Sequence, residues 1–463
     1  MVSAALAAMY RAEVPRYAAL TDLVAEIDAN ARGGAVGQAS GQRTDDMPLD
    51  AERHGAIRVG TAQELSFIGR LFAVMGMRPV GYYDLSIAGL PVHATAFRPI
   101  GTSALQANPF RMFCSLLRLD LIEDLRLREM ATSILGRRQI FSPRCLELVR
   151  LAESEGLDEA LAHEFVTEAL TIFRWHAEAA VSAKTYHALR EAHPLIADIV
   201  SFKGPHINHL TLATLNIDKV QAEMSRRGFN PKAIIEGPPR RAFPILLRQT
   251  SFMALAEPVR FPAADGTFES GLHTARFGEI EQRGAALTQK GRALYDRLLA
   301  QALGDVPPAA DGSNADLYKE ALTRQFRAFP DEDAGLREEG LAFFHYSPTE
   351  KGLRHAGSSA LPTALDALLR DGHVQAEPLP YEDFLPVSAA GIFRSNLGRP
   401  VARPLAQGAG RTDFETALGA EVIDDMALYA EAETQSRAAS LAALGIGAAP
   451  RREANESAVP PPA

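Results

Sequence analysis

The chain has 463 residues, 47% hydrophobic and 23% charged, with a formal net charge of −9 at pH 7, the composition of a soluble globular protein with room for two or three domains and a substantial core. The acidic balance argues against nucleic acid as the main partner, because phosphate binding needs a basic face. No run of about 18 apolar residues offers a membrane span, and two cysteines, Cys114 and Cys145, make no disulfide framework.

Residues 1–30 carry apolar positions at helical spacing. The N-terminus lacks the basic n-region and long apolar core of a signal peptide, so a reducing cytoplasm is the expected setting. Residues 31–50 are rich in Gly, Ser and Asp and read as a loop. His54–Gly60 reads as a strand. Thr61 can cap a helix from Ala62 to Met75, with Glu64 at the capping-box offset and Gly76 as a stop. Extended runs follow at Arg78–Leu85, Pro91–Pro99 and Phe110–Leu119. The order is strand, helix, strand, strand, strand.

Residues 120–200 read as helix, with long periodicity over Leu157–Ala192. The first order then recurs. His206–Asn216 reads as a strand, a helix runs to Arg227 and Gly228 closes it. Lys232–Glu236, Pro244–Leu255 and Leu272–Gln282 supply three extended runs. This is a repeat of pattern rather than of residue identity. From Gly284 to Ala328 the chain reads as helix, with loops at 305–314 and 329–338. Residues 382–412 are mixed, and the polar, Pro-rich stretch from Ala448 is expected to be disordered. The resulting division is an N-terminal helix and loop (1–45), a first βαβββ half (46–120), a helical insertion (121–200), a second half (201–290), a mostly helical region covering the site (291–440) and a tail (441–463).

Side chains on a strand alternate faces. His54, Ala56 and Arg58 therefore share one face, and Ile57 can pack on the helix. Four strand residues span roughly 13 Å, but an arginine is long enough to lean back. A metal at His54 and a carboxylate at Arg58 then sit at a separation that suits a short dicarboxylate. His206 and His209 differ by three and cannot both serve one metal from a regular strand. His209 is the chosen ligand, with His206 in reserve. Phe277, Glu279 and Glu281 share a face, and two acids aimed at one interior repel unless a cation or proton intervenes. Glu279, beside the small Gly278, is the chosen ligand, with Glu281 expected nearer the rim. Two imidazoles and one carboxylate leave coordination positions open, which suits non-haem Fe(II) handling dioxygen. The reading is a mononuclear iron oxygenase acting on a small 2-oxo acid. Taken singly, a strand histidine is most often a hydrogen-bonded core or surface group. The odds rise because ligand types fall on equivalent strands of two matched units.

The run Phe277-Gly278-Glu279-Ile280-Glu281-Gln282-Arg283 resembles the iron-binding Phe-x-Glu-Ile-x-Gln-Arg strand of 4-hydroxyphenylpyruvate dioxygenases. The paired βαβββ units resemble the vicinal oxygen chelate fold. Between about Asp46 and Arg399 the chain resembles the 2-oxoadipate dioxygenase/decarboxylase (hydroxyglutarate synthase) family. The segments that carry this are Arg53 to Arg58, Val80 to Leu85, His93 to Pro99, Ile207 to Thr211 and Phe277 to Gly284. The resemblance implies an α+β fold whose two modules form a curved, incomplete barrel with helical additions. It implies Fe(II) held by His54, His209 and Glu279, with Arg58 as the catalytic cation contacting the 2-oxo diacid. It implies that Val387 and Ser388 contact substrate in a segment closing over the site. The implied reaction converts 2-oxoadipate and O2 to 2-hydroxyglutarate and CO2, in lysine catabolism. Two rivals are a vicinal-oxygen-chelate isomerase or lyase using another divalent metal, and a metal-free binding protein for small acids. No nucleic acid or membrane partner is expected.

Overall fold

The computed structural model describes residues 1–32, 52–309, 311–385 and 410–446. Its centre is a seven-stranded sheet. The strands of the first unit are β1 (Glu52–Val59), β2 (Arg78–Asp84), β3 (Val92–Arg98) and β4 (Arg111–Leu117). The second unit supplies β5 (His209–Ala213) and β6 (Leu247–Ser251), a hairpin of β7 (Ala256–Pro262) and β8 (Phe268–Thr274), and β9 (Phe277–Arg283). The sheet order is β2-β3-β4-β1-β5-β9-β6, with β7 and β8 forming a separate pair. β1 runs parallel to β4, β5 runs parallel to β9, and the two units meet where β1 pairs antiparallel with β5. The sheet curls into a half-barrel, and the fold class is α+β.

Local chemistry explains the first unit. Thr61 Oγ1 accepts from Glu64 N at 3.1 Å, and Glu64 Oε2 accepts from Gly60 N at 2.7 Å. The helix Ala62–Val74 ends before Gly76, whose φ of +77° places it in the left-handed region that favours glycine. Its Leu65, Ile68, Leu71 and Phe72 are buried and share one core with Ile57, Val59, Met112 and Cys114 of the sheet. Each such side chain contributes roughly 1.5–3 kcal/mol by leaving water. Leu210, Leu212 and Ile280 extend that apolar face into the second unit. The opposite face is buried too, yet it carries His54, Arg58, Arg111, His209, Thr211, Glu279 and Glu281. One face makes the core and the other makes the site.

The second unit departs from the expected pattern. Residues 231–236 run beside β6 and Phe252 in isolated bridges, Pro231↔Phe252 and Glu236↔Gln249, and make no full strand. The run expected over Leu272–Gln282 is broken at Ala275-Arg276, where the chain leaves the hairpin and enters the sheet. Pro258 and Pro262 lie in β7 and cannot donate to a central ladder, which keeps the hairpin outside the sheet. The strand expected over His206–Asn216 is paired as a strand only from His209 to Ala213.

Between the units stand the helices Leu125–Arg137, Pro143–Ser154, Glu159–Phe173, Ala183–Ala192 and Pro194–Ser201. The helical period over Leu157–Ala192 is interrupted after Phe173. There, Ala179 N donates to Arg260 O at 2.9 Å and Ala180 N to Ser201 O at 2.7 Å, so tertiary pairing overrides local periodicity. The N-terminal helices Val2–Glu13 and Pro15–Arg32 pack on the back of β9. A Cβ at Gly278 would stand 2.8 Å from Tyr17 Cδ2 and 2.6 Å from Phe252 Cε1, so only glycine admits this approach. After β9 the chain forms the helices Gln289–Asp305, Ala315–Gln325 and Asp425–Ala443 around a ribbon of β10 (Phe344–Pro348) and β11 (Val374–Pro378). The loop expected over 329–338 contains a short helix, Asp333–Glu338. Among the described residues, no helix is long and apolar enough to cross a membrane.

Candidate metal centre

Strand register builds the site. His54 of β1 is opposite Thr211 of β5, Thr211 is opposite Glu279 of β9, and Glu279 is opposite Ser251 of β6. In the adjacent row Ala56 is opposite His209, and His209 is opposite Phe277. His54 and Glu279 thus flank Thr211, with His209 one step along the same face. The ligand atoms of His54, His209 and Glu279 all lie within 4.8 Å of one another, and all three residues are fully buried.

Neighbouring side chains fix these groups. Glu279 Oε1 accepts from Thr211 Oγ1 at 2.9 Å and from Gln249 Nε2 at 2.7 Å. It also lies 3.1 Å from His54 Nε2. His54 Nδ1 is 2.9 Å from Glu281 Oε2, and Arg283 Nε donates to Glu281 Oε1 at 2.5 Å. The Phe277 ring stacks on His209 with centroids 4.8 Å apart, and Phe384 stands edge-on to His54 at 4.7 Å. These rings pack against both imidazoles, which are fully buried.

The electrostatics follow from burial and charge. Burial, with the charges of His54 and Arg58, holds His209 well below the ordinary histidine value, so its ring is neutral and offers a lone pair. Burial pulls His54 down, but the nearby Glu281 and Glu279 outweigh it and raise it overall. Burial raises Glu279 despite the opposing effects of His54 and Thr211. Glu281 is held low by Arg283 and His54, which overcome its burial. Both shifts favour the protonated forms of His54 and Glu279, so a divalent cation held there would compete with protons.

A metal fits these residues on a direct observation. Both ring nitrogens of His209 and Oε2 of Glu279 are buried without a hydrogen-bond partner. A buried polar atom left unpaired costs about 1–3 kcal/mol. Coordination of one imidazole nitrogen and the carboxylate relieves that cost, and two imidazoles with one carboxylate are a recognised metal-binding set.

The sequence-selected groups are placed as follows. His54, His209 and Glu279 come together. Glu281 is not at the rim as expected; it is fully buried, because Arg283 and His54 together compensate its charge. Arg58 shares the site face, and its NH1 donates to Asp198 Oδ2 at 2.6 Å. His206 belongs to a second buried cluster with Asp198 and His273. Val387 and Ser388 lie outside the described residues.

The family model described as 2-oxoadipate dioxygenase/decarboxylase matches residues 2–396. The chain belongs to the 2-oxoadipate dioxygenase/decarboxylase family. It is 55% identical over 451 residues to the 2-oxoadipate dioxygenase/decarboxylase of Pseudomonas putida, covering 96% of each chain. It is 51% identical over 443 residues to that of Escherichia coli K12, covering 94% of this chain and 96% of the relative. The crystal structure of Pseudomonas putida hydroxyglutarate synthase in complex with 2-oxoadipate superposes with a TM-score of 0.88 at 52% identity, covering 96% of this chain and 97% of that one.

For this member of the 2-oxoadipate dioxygenase/decarboxylase family, the match begins at residue 2, so the N-terminal helices, which lie before the resemblance that starts near Asp46, are part of it. Their place at the site is indirect. Tyr10 OH donates to Phe277 O at 2.7 Å and lies 3.0 Å from Asn208 O, which ties the start of β9 to the residue before His209. Sequence reasoning also missed Gln249, which shares the inward face of β6 with Ser251. The alternation of Leu247-Arg248-Gln249-Thr250-Ser251 was the available signal. Phe384 had none, since its contact with His54 spans more than three hundred residues.

Proposed function

We propose that this chain is an Fe(II)-dependent oxygenase that converts 2-oxoadipate and O2 to 2-hydroxyglutarate and CO2, as an oxidoreductase with dioxygen as the second substrate. The observation that carries the reading is the convergence of His54, His209 and Glu279, with unpaired ligand atoms, in a chain of this family. The balance is complete: the six-carbon 2-oxo diacid loses its C1 carboxylate as CO2, and the two oxygen atoms of O2 end in the products. Bound by the three side chains, Fe(II) supplies the electron transfer to O2 and the polarisation of the 2-oxo acid.

The chain's own residues do the rest. Thr211 and Gln249 occupy Oε1 of Glu279 and leave Oε2 without a partner, available to a cation. Glu281 draws Nδ1 of His54 and presents Nε2. Phe277 and Phe384 keep water from the imidazoles. Arg58 is the buried cation on the same face of β1, and a charge-assisted pair with the distal carboxylate orients the diacid.

The test is stoichiometry. Protein reconstituted with Fe(II) under argon and then given air and 2-oxoadipate consumes one O2 and releases one CO2 for each 2-hydroxyglutarate. Product formed without oxygen uptake would replace the oxygenase with the isomerase or lyase reading, and binding without turnover would favour a small-acid binding protein.

A further inference from the structure

The second buried cluster is joined to Arg58, and its groups form a continuous chain. Tyr186 OH lies 2.9 Å from His273 Nδ1, His273 Nε2 lies 2.9 Å from Asp198 Oδ1, and Asp198 Oδ2 accepts from Arg58 NH1 at 2.6 Å. Asn208 Nδ2 adds a second donor to Oδ2 at 3.3 Å, and His206 Nε2 lies 3.3 Å from Oδ1. Trp175 stacks on the His273 ring with planes 11° apart. The members come from separate elements: β1 carries Arg58, the helix Pro194–Ser201 Asp198, the helix Ala183–Ala192 Tyr186, and β8 His273. Tyr186, His273, Asp198 and Arg58 are all buried.

We infer that Asp198 is a positioning residue, set in place by His273 and Tyr186, that aims the Arg58 guanidinium at the distal carboxylate of the 2-oxo diacid. The inference rests on the proposed function and deepens it. Both oxygens of Asp198 are engaged, so the carboxylate cannot rotate. An arginine otherwise loses rotamer freedom when fixed; a partner that fixes it beforehand removes that cost from substrate binding. The planar guanidinium has five N–H donors, and a contact through NH1 sets the plane in which the others lie. Asp198, His206 and His273 also have the composition of a metal site. Arg58, however, already brings a positive charge to within 2.6 Å of Asp198, and His273 is committed at both ring nitrogens. A cation is thus supplied by the protein itself. The same arrangement gives the β7–β8 hairpin, an insertion between β6 and β9, a purpose: it delivers His273.

The experiment compares 2-oxoadipate with 2-oxohexanoate, the same chain ending in methyl, as an alternative substrate or competitive inhibitor. Asp198→Ala raises KM for 2-oxoadipate about tenfold, changes kcat less than about threefold, and leaves 2-oxohexanoate affinity and iron content as in the wild type. Because Asp198→Ala can compromise folding, a second pair tests the same link. His273→Ala raises KM about three- to fivefold, and His273→Gln, which keeps an N–H donor for Asp198, restores it to within about twofold. Equal loss for both compounds, a His273→Gln variant as impaired as His273→Ala, or a second equivalent of metal lost in Asp198→Ala would overturn the inference. Wild-type protein that never turns over 2-oxoadipate would refute the proposed function itself, whereas turnover with equal losses refutes only the Asp198 link.

Discussion

Glu281 Oε2 lies 2.9 Å from His54 Nδ1, across the sheet from β9 to β1, while Glu279 Oε1 lies 3.1 Å from Nε2, so the ring stands between two carboxylates of one strand. Outer carboxylates of this kind orient a ligand imidazole, and their loss lowers metal affinity about 10- to 100-fold. Glu281→Gln should therefore weaken Fe(II) binding by that factor while leaving the far-ultraviolet circular dichroism unchanged. A chelator competition under argon measures it. Wild-type affinity in the variant would mean that Glu281 has no part in presenting His54.

Arg58 and His54 share a face of β1, and the proposed function gives them different tasks, so their variants should separate. His54→Ala should lose bound iron and all turnover. Arg58→Ala should keep its iron and lose diacid use, with kcat/KM for 2-oxoadipate down by about 10²-fold or more, as expected when one partner of a buried charged pair is removed. Iron analysis beside steady-state kinetics distinguishes them. Equal loss of iron in both variants would make Arg58 structural.

Tyr10 tests the N-terminal helices. Its hydroxyl donates to Phe277 O, opposite His209, and lies 3.0 Å from Asn208 O, the residue before it. Tyr10→Phe keeps the ring and removes the hydroxyl donor to Phe277 O, at a cost of about 0.5–1.5 kcal/mol. Urea denaturation should show that loss, and iron affinity should fall with it. An unchanged midpoint would show that water or a shifted backbone replaces the hydroxyl.

Asp425 gives a pH dependence with a defined sign. Burial, followed by repulsion from Asp383 and Asp424, raises its carboxyl to about 6. The folded protein thus holds this proton more tightly than the unfolded chain. The stability linked to it is present at low pH and is lost as pH rises through about 6. Asp425→Asn should raise stability at pH 7.5 by about 2 kcal/mol, less than the full shift because an acid in the first helical turn also favours the helix. Below pH 4 the gain should vanish. Equal gains at both pH values would locate the effect in packing rather than charge.

Much of the site was legible in the chain because it lies on short strands with strict alternation. His54 and Arg58 fall on one face of β1, and Phe277, Glu279 and Glu281 on one face of β9, so period two alone aims them. The capped helix after β1 was equally legible, since Thr61, Glu64 and Gly76 are local signals. Long-range compensation was hidden. Glu281 was expected at the rim because two acids repel; Arg283, two residues on along the same face, was a local sign of its compensation, whereas His54 reaches it from a position that only the folded sheet defines. The hairpin β7–β8 was missed because Leu272–Gln282 reads as one extended run, and the break at Ala275-Arg276 has no glycine or proline to mark it. The helical period through Leu157–Ala192 misled for a related reason: backbone groups of residues 179 and 180 find partners at Arg260 and Ser201.

The central claim is that His54, His209 and Glu279 hold one Fe(II). The most direct measurement is anomalous diffraction at the iron edge from crystals of the Fe(II)-reconstituted protein. A single peak per chain within coordination distance of an imidazole nitrogen of each histidine and the Glu279 carboxylate is the predicted result. No peak there, or a peak among Asp198, His206 and His273 instead, would contradict it.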